Sequence, residues 1–584
     1  MTQTKAGANT EQRKFDPILV EVIKNGLASV NEEMAIAVHR TGRSAMVKVG
    51  DFATVVCDRQ GRVVGEGAAP FQSAIFMLTL QNILKQFGDD FKPGDIVISN
   101  DPYTGMGHLP DVSIFAPVFW RGKRVAHTIS YSHHMDIGGR FAGGFSSQPR
   151  SSYEEGLRIP IMKLYEAGVR NERVVDIIRA NVRAPEEWLG DIEAKIAGAR
   201  RGDQAIQAIL DKYGVDAFDS TCDYLVDNAE RAMRAAIRAI PPGVYVKEDL
   251  FEDEGYGGVG KLVPVRIKLT LDGETATVDF TGTAPQSQAA INLPLSSTLA
   301  SVYSSIKCLV SPDVLTNVGI ARAIKVIVPE GCLCNPQHPA AVGGRTALLF
   351  RVIDTVFRLI GEAVPGKVGI PGEGGDMLHY STERPGGGHS SFADLYFGGW
   401  GGRPTKDGID AVAPMTFGSY GSVPAEVLER EYPVVVEGFG LVTDTEGPGK
   451  FRGAMGMYKQ WRFLAPGNVT IRTNRLTTAS AGLHGGSPGA LSLNVFKSAN
   501  GTEREMDRQT IIHAHVEAGD AIYHRVAASG GYGDPATREP SLVLQDFEDG
   551  KLSAERAREV YKVAINVASR AVDWKSTEAL RKAM

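Results

Sequence analysis

Two β-forming runs, VSIFAPVFW (112–120) and VAHTISYSHH (125–134), flank Arg121-Gly122-Lys123 and constrain this chain more than any other feature. Apolar and β-branched residues on both sides of a short glycine turn read as an antiparallel hairpin. A turn centred near Gly122 places Asp111 opposite His133, with His108 on the loop just upstream. Opposed side chains in such a pair lie about 4.5–5.5 Å apart at Cβ. Two imidazoles and a carboxylate then converge on one point and leave a position for water or substrate, as catalytic metal sites do. His133 and His134 are adjacent, so in a regular strand they face opposite ways. His133 is therefore the expected ligand. His134 is left as a supporting or substrate contact, or a ligand if a bulge intervenes, and Asp136 as a group that orients an imidazole. Nitrogen and oxygen donors suit Zn, Mn or Fe without choosing among them.

Other chemistries lack their motifs. There is no G-x-x-x-x-G-K-[ST], no G-x-G-x-x-G opening a helix, no G-x-S-x-G and no H-E-x-x-H. With 63 basic and 68 acidic residues the net charge is −5, which argues against a mainly electrostatic nucleic-acid binder. No apolar run of about 20 residues suggests a membrane span, and the polar opening MTQTKAGANTEQRKFD has no signal core, so a cytoplasmic location is expected. Five cysteines are too few for a disulfide scaffold and read as buried thiols.

The periodicities give an α+β class: a helix-rich N-terminal metal-binding region, a β-rich middle and a Gly-rich mixed C-terminal region. The expected units are a flexible arm at 1–15, a metal-binding domain at 16–240, a β-rich domain at 241–340, a mixed α/β region at 341–540 and a helical tail at 541–584. Asp16-Pro17 opens a helix to about His39, helices follow near 173–183, 191–213 (with Asp191 as N-cap) and 219–239, and Pro241-Pro242-Gly243 ends the helical block. VPVRIKLTL and ETATVDF form a hairpin about Asp272-Gly273. Glycine, 66 residues of 584 against a usual share of roughly 7%, gathers in the C-terminal half, where short strands and loops offering backbone N–H groups to an anion are expected. Asp51 stands beside a strand, Asp101 and Tyr103 precede His108, and Arg345 and Arg403 follow glycine pairs as candidate anion contacts.

The stretches NDPYTGMGHLPDV, SHHMDIGG, EEGLRIP, NVRAPEEWLGDI, GGWGGRPTKDGID, GPGKFRGAMG and GGYGDPATREP, in that order from about residue 16 to 562, resemble the B subunit of the ATP-dependent hydantoinase/5-oxoprolinase family. The resemblance implies a metal-containing subunit that opens a hydantoin, 5-oxoproline or lactam ring together with a hydantoinase A-like ATPase subunit, which holds ATP with Mg, in a heterotetramer of two A and two B subunits. It implies a divalent metal on His108, Asp111 and His133, with His134 as the alternative ligand and Asp51 reaching the site. Because the family's relatives include acetone and acetophenone carboxylase subunits, ATP-dependent ketone carboxylation is the alternative. Met106 and Met135 depart from the family's usual Gly-Gly-Thr-His and His-His-Ala-Asp segments; the ligand atoms stay intact and the substrate pocket changes.

Overall fold

The protein is described from a computed structural model covering residues 16–66, 70–141, 146, 148–252, 262–383, 389–414 and 421–582; the expected arm at 1–15 lies outside them. The N-terminal half is built on a seven-stranded sheet. Its strands are β1 (Phe52–Asp58), β2 (Val63–Glu66), β3 (Ile96–Ser99), β4 (Asp111–Trp120), β5 (Lys123–His133), β6 (Met162–Glu166) and β7 (Val169–Arg170), in the spatial order β2-β1-β5-β4-β3-β6-β7. β4 and β5 are the expected hairpin, with Asp111 opposite His133.

Both faces of the central strands of this sheet are buried, so they read as near-continuous apolar runs. Val56, Val64, Val118 and Ala126 face the helices Pro17–Thr41 and Pro185–Tyr213. Val55, Phe115 and Ile129 face the opposite way, into the largest apolar cluster, with Phe71 and Phe76 of the helix Pro70–Phe87. Asp16 caps its helix by accepting from Ile18 N at 3.0 Å and Leu19 N at 3.3 Å, while Pro17, with no N–H to satisfy, sits in the first turn.

The expected start of the next long helix is wrong. It begins at Pro185, so Asp191 lies inside it, buried, where its carboxylate accepts from Arg43 N at 2.7 Å and Ser44 N at 3.1 Å. An interior aspartate with distant backbone partners imitates a cap in the sequence.

After Pro241-Pro242 come β8 (Gly243–Glu252), β9 (Leu262–Asp272), β10 (Thr275–Asp279) and β11 (Ile324–Ile327), ordered β11-β10-β9-β8. The helices Leu295–Lys307 and Arg345–Ala363 cover them, and the large apolar cluster runs from Val55 to Val368 across the Pro241 turn. The C-terminal half stacks two sheets. One is β13 (His389–Gly399), β12 (Glu373–Glu383), β16 (Gly467–Arg472) and β19 (Ile511–Val516); the other is β14 (Val434–Val442), β15 (Gly456–Phe463), β20 (Ala521–Arg525), β17 (Leu493–Lys497) and β18 (Glu503–Glu505). Tyr380, Phe392, Tyr396, Trp461 and Ile522 fill the space between them. The class is α+β, and among the described strand pairs only β10 and β11 run parallel. β12 and β13, at 11 residues each, are longer than the short strands expected there.

Several C-terminal glycines admit close packing of backbone against backbone. A Cβ on Gly531 would lie 2.1 Å from Pro448 O, and one on Gly486 would lie 1.9 Å from Gly531 O. Their amides are spent internally: Gly531 N donates to Ser487 O, Gly486 N to Leu483 O and Gly447 N to Ser529 O.

Candidate metal centre

The hairpin delivers two donors and the preceding loop the third. His108 Nε2 lies 3.0 Å from Asp111 Oδ1 and 3.2 Å from His133 Nδ1, and His133 Nδ1 lies 3.3 Å from the same carboxylate oxygen. Three donors about 2.0–2.1 Å from one tetrahedral cation stand roughly 3.3 Å from each other, so these spacings fit a shared ion. Among the described residues His108, Asp111 and His133 are the group able to hold one.

Surrounding contacts fix which atoms face the centre. His108 Nδ1 is 3.1 Å from Gly343 O; donating there, it leaves Nε2 as the lone-pair nitrogen. Burial pulls the His108 pKa down to about 4, the Arg345 guanidinium and His133 adding to it against the pull of Asp111, so the ring is neutral. Asp111 Oδ2 accepts from Arg345 Nη2 at 2.5 Å and from His108 N at 3.3 Å, and Tyr131 donates its hydroxyl to Oδ1 at 3.1 Å. Burial alone would raise the Asp111 carboxyl, but His108 and Arg345 outweigh it and hold the group well below the usual range, as a carboxylate. Gly107 permits this close fit: a Cβ there would stand 2.2 Å from Asp111 Oδ2 and 2.4 Å from Arg345 Nη2.

The centre opens into a cavity. Asp51, Arg345, Thr346 and Arg472 supply its polar wall, and Met46, Phe71, Ile75, Phe350, Met377 and Phe397 its apolar wall. Asp51 also accepts from His133 N at 3.2 Å through its carbonyl, tying β1 to the ligand strand.

The remaining expected site residues go elsewhere. His134 faces away, as strand alternation requires. Its Nε2 lies 2.7 Å from Lys195 Nζ, and its ring is tilted against that of Trp188 with the centroids 4.5 Å apart. Burial pulls its pKa well down, Lys195 and His133 adding to the shift, so the neutral ring accepts a hydrogen bond from the lysine. Asp136 orients no ligand imidazole: its carboxylate accepts from Arg183 N at 2.5 Å and Arg183 Nη1 at 2.7 Å. Asp101 accepts from Tyr103 N at 3.0 Å, Tyr103 donates its hydroxyl to Ala340 O, and neither lines the cavity. Arg403 lies outside it too, its Nε donating to Asp407 O at 2.9 Å beneath Trp400.

Four contributors stand outside the expected set. Tyr131 carries a signal in the sequence, since it lies two residues before His133 and shares its strand face. Lys195 carries another, a charge amid the apolar positions of a helix. Arg472 and the Gly343 carbonyl carry none, because only the packing of distant segments brings the one to the cavity and the other behind His108.

Residues 16–535 match the Hydantoinase B/oxoprolinase family. The chain belongs to that family. A putative D-/L-hydantoinase B subunit of Pseudomonas sp. (strain NS671) is 31% identical over 98% of this chain and 99% of its own. The crystal structure of the ATP-dependent caprolactamase from Pseudomonas jessenii superimposes with a TM-score of 0.88 at 27% identity, over 97% of this chain and 100% of that one. The nucleotide-free structure of an acetone carboxylase gives 0.87 at 19% identity, over 98% of this chain and 83% of that one, a likeness of fold. All three candidate ligands of this member of the hydantoinase B/oxoprolinase family, two on the hairpin and one on the loop before it, lie within the matched region.

Proposed function

We propose that this chain is the metal-holding subunit of a cytoplasmic, ATP-dependent enzyme that opens a cyclic amide: a hydantoin, 5-oxoproline or lactam ring. The observation that carries the reading is the three-donor group His108, Asp111 and His133 lining a cavity, in a chain whose relatives are hydantoinase and caprolactamase subunits. An unstrained amide resists hydrolysis through its resonance, so ATP is spent to activate it. Activation falls to an ATPase partner subunit, in a two-plus-two assembly, and ring opening to this chain.

His108, Asp111 and His133 would hold a divalent cation, which when bound would supply Lewis acidity and lower the pKa of a bound water. Gly343 O holds the His108 ring in one tautomer, and Arg345 and Tyr131 hold the carboxylate. The apolar wall excludes bulk water and accommodates the carbon side of a ring. In this reading Asp51, which lines the same cavity, takes a proton from water and returns it to the leaving nitrogen. Ketone carboxylation is the second reading, and the fold likeness to acetone carboxylase supports it.

The test reconstitutes the chain with its ATPase partner and supplies hydantoin, 5-oxoproline or caprolactam with ATP, and separately acetone with ATP and bicarbonate. Open-chain amino acid formed with ADP, and lost in His108→Ala/His133→Ala, is the expected result. Labelled bicarbonate in the product moves the assignment to carboxylation. Turnover surviving in the double variant overturns the proposed role of the centre.

A further inference from the structure

The Arg345 side chain is 5% exposed and uses only part of its donor set. Nη2 donates to Asp111 Oδ2, whereas Nε and Nη1 are buried with no hydrogen-bond partner, on a residue that lines the cavity. A buried donor left unmade costs about 1–3 kcal/mol, more when charged, so two on one guanidinium mark a place for an acceptor.

The surroundings say what kind. Arg472, also lining the cavity, donates from Nη1 to Thr346 Oγ1 at 2.7 Å and from Nη2 to Gly375 O at 2.9 Å. Thr346, as the acceptor in that bond, retains its own O–H donor beside Arg345. Both residues open the helix Arg345–Ala363, whose cap, Gly344, brings no side-chain acceptor. The helix end therefore adds partial positive charge. Around the cavity the charges of Arg345 and Arg472 balance those of Asp51 and Asp111, and ligating imidazoles are neutral. A divalent cation on the triad leaves two positive charges uncompensated in a buried place, which a dianion neutralises. Such a balance favours a phosphoryl group over a single carboxylate.

We infer that Arg345, Thr346 and Arg472 form a seat for a phosphoryl dianion beside His108, Asp111 and His133. The seat is suited to the O-phosphoryl group of an activated amide and to the phosphate released from it. The identity of the activated amide rests on the ring-opening reading above; the seat itself does not.

The test is calorimetric titration of the zinc-loaded full chain with inorganic phosphate and, separately, with acetyl phosphate, whose acyl–phosphate linkage mimics the activated carbonyl. Metal content is measured in every sample. Wild type binds both at one site per chain. Arg345→Gln weakens phosphate binding at least roughly tenfold, as loss of charge-assisted hydrogen bonds requires, and Arg345→Lys falls between. Thr346→Val leaves the Arg345–Asp111 pair intact and weakens binding several-fold, so it decides the matter if Arg345→Gln loses metal. Tighter binding of acetyl phosphate identifies the activated substrate as the occupant; equal or tighter binding of phosphate identifies the product. Phosphate affinity unchanged in both Arg345→Gln and Thr346→Val overturns the seat and makes Arg345 a positioning residue for Asp111. A seat that holds while the reconstituted enzyme opens no ring overturns the substrate assignment alone.

Discussion

Asp111→Asn keeps the shape of the side chain and removes its charge, which makes it the sharpest probe of the centre. Asp111 is 1% exposed, and each of its oxygens is engaged, Oδ2 by Arg345 Nη2 at 2.5 Å and Oδ1 by the Tyr131 hydroxyl at 3.1 Å. Asparagine has one acceptor oxygen. If that oxygen stays with Tyr131, the new amide N–H groups point at the Arg345 guanidinium and at His108 N. If it turns to Arg345, they point into the space between His108 and His133. In either pose a buried arginine loses its carboxylate, a loss of about 3–5 kcal/mol, a large part of the roughly 5–15 kcal/mol that holds a typical domain together. Urea unfolding followed in chelator, so that metal contributes nothing, should show a lower midpoint in the variant at pH 7. Plasma mass spectrometry of zinc-loaded protein should show near one equivalent in wild type and little in Asp111→Asn. An unshifted midpoint would refute the energetic role of the Arg345 pair, and a full equivalent of zinc would refute Asp111 as a ligand.

Three further outcomes follow from the contacts. Glu155, buried, accepts from Val342 N at 2.9 Å and Gly343 N at 2.5 Å, and so holds the segment whose carbonyl holds His108; Glu155→Ala should weaken zinc binding about tenfold, read by competition with a chelating dye, and wild-type affinity would break that chain of support. His134→Gln should keep its zinc equivalent, because His134 faces Lys195, and metal loss matching that of His133→Ala would contradict the assigned faces. Burial pulls the His127 pKa down to about 4, with Asp58 O and Arg124 as smaller influences, so the folded state holds this ring neutral. Its contribution to stability is full above about pH 6.5 and is lost as pH falls through about 4; His127→Gln should flatten that limb by up to about 1.4 kcal/mol per pH unit, and an equally steep limb in the variant would exclude the role.

How much of the site was legible depended on which residues were close in the chain. Period-two alternation, glycine turns and a proline after an aspartate mark elements through local sterics, so the hairpin, the first helix and the Asp272-Gly273 turn were all readable. The start of the second long helix was not, because Asp191 bonds to Arg43 and Ser44 across the fold. Glycine pairs were ambiguous for a similar reason: a bare Cα admits either a ligand or another backbone, and here Gly486 and Gly531 admit each other.

The ligand pairing itself divides between the two levels. Sequence alone brings Asp111 near the end of β5, since Arg121 (φ 49°) and Gly122 (φ 77°) make a two-residue turn of the kind hairpins prefer. That turn pairs Trp120 with Lys123 and Phe119 with Arg124; continued without a break it would set Asp111 against Ser132. A bulge between Val118 and Phe119 shifts the register by one residue, so that Val118 meets Ala126 and Asp111 meets His133. One slipped residue reverses every face of a strand, and β5 is pressed from both sides by apolar clusters that tolerate only one choice. The donor types and their rough proximity were written locally. Their final register, the Gly343 carbonyl behind His108 and the two arginines across the cavity exist only once the sheet is packed, because burial between distant segments sets them.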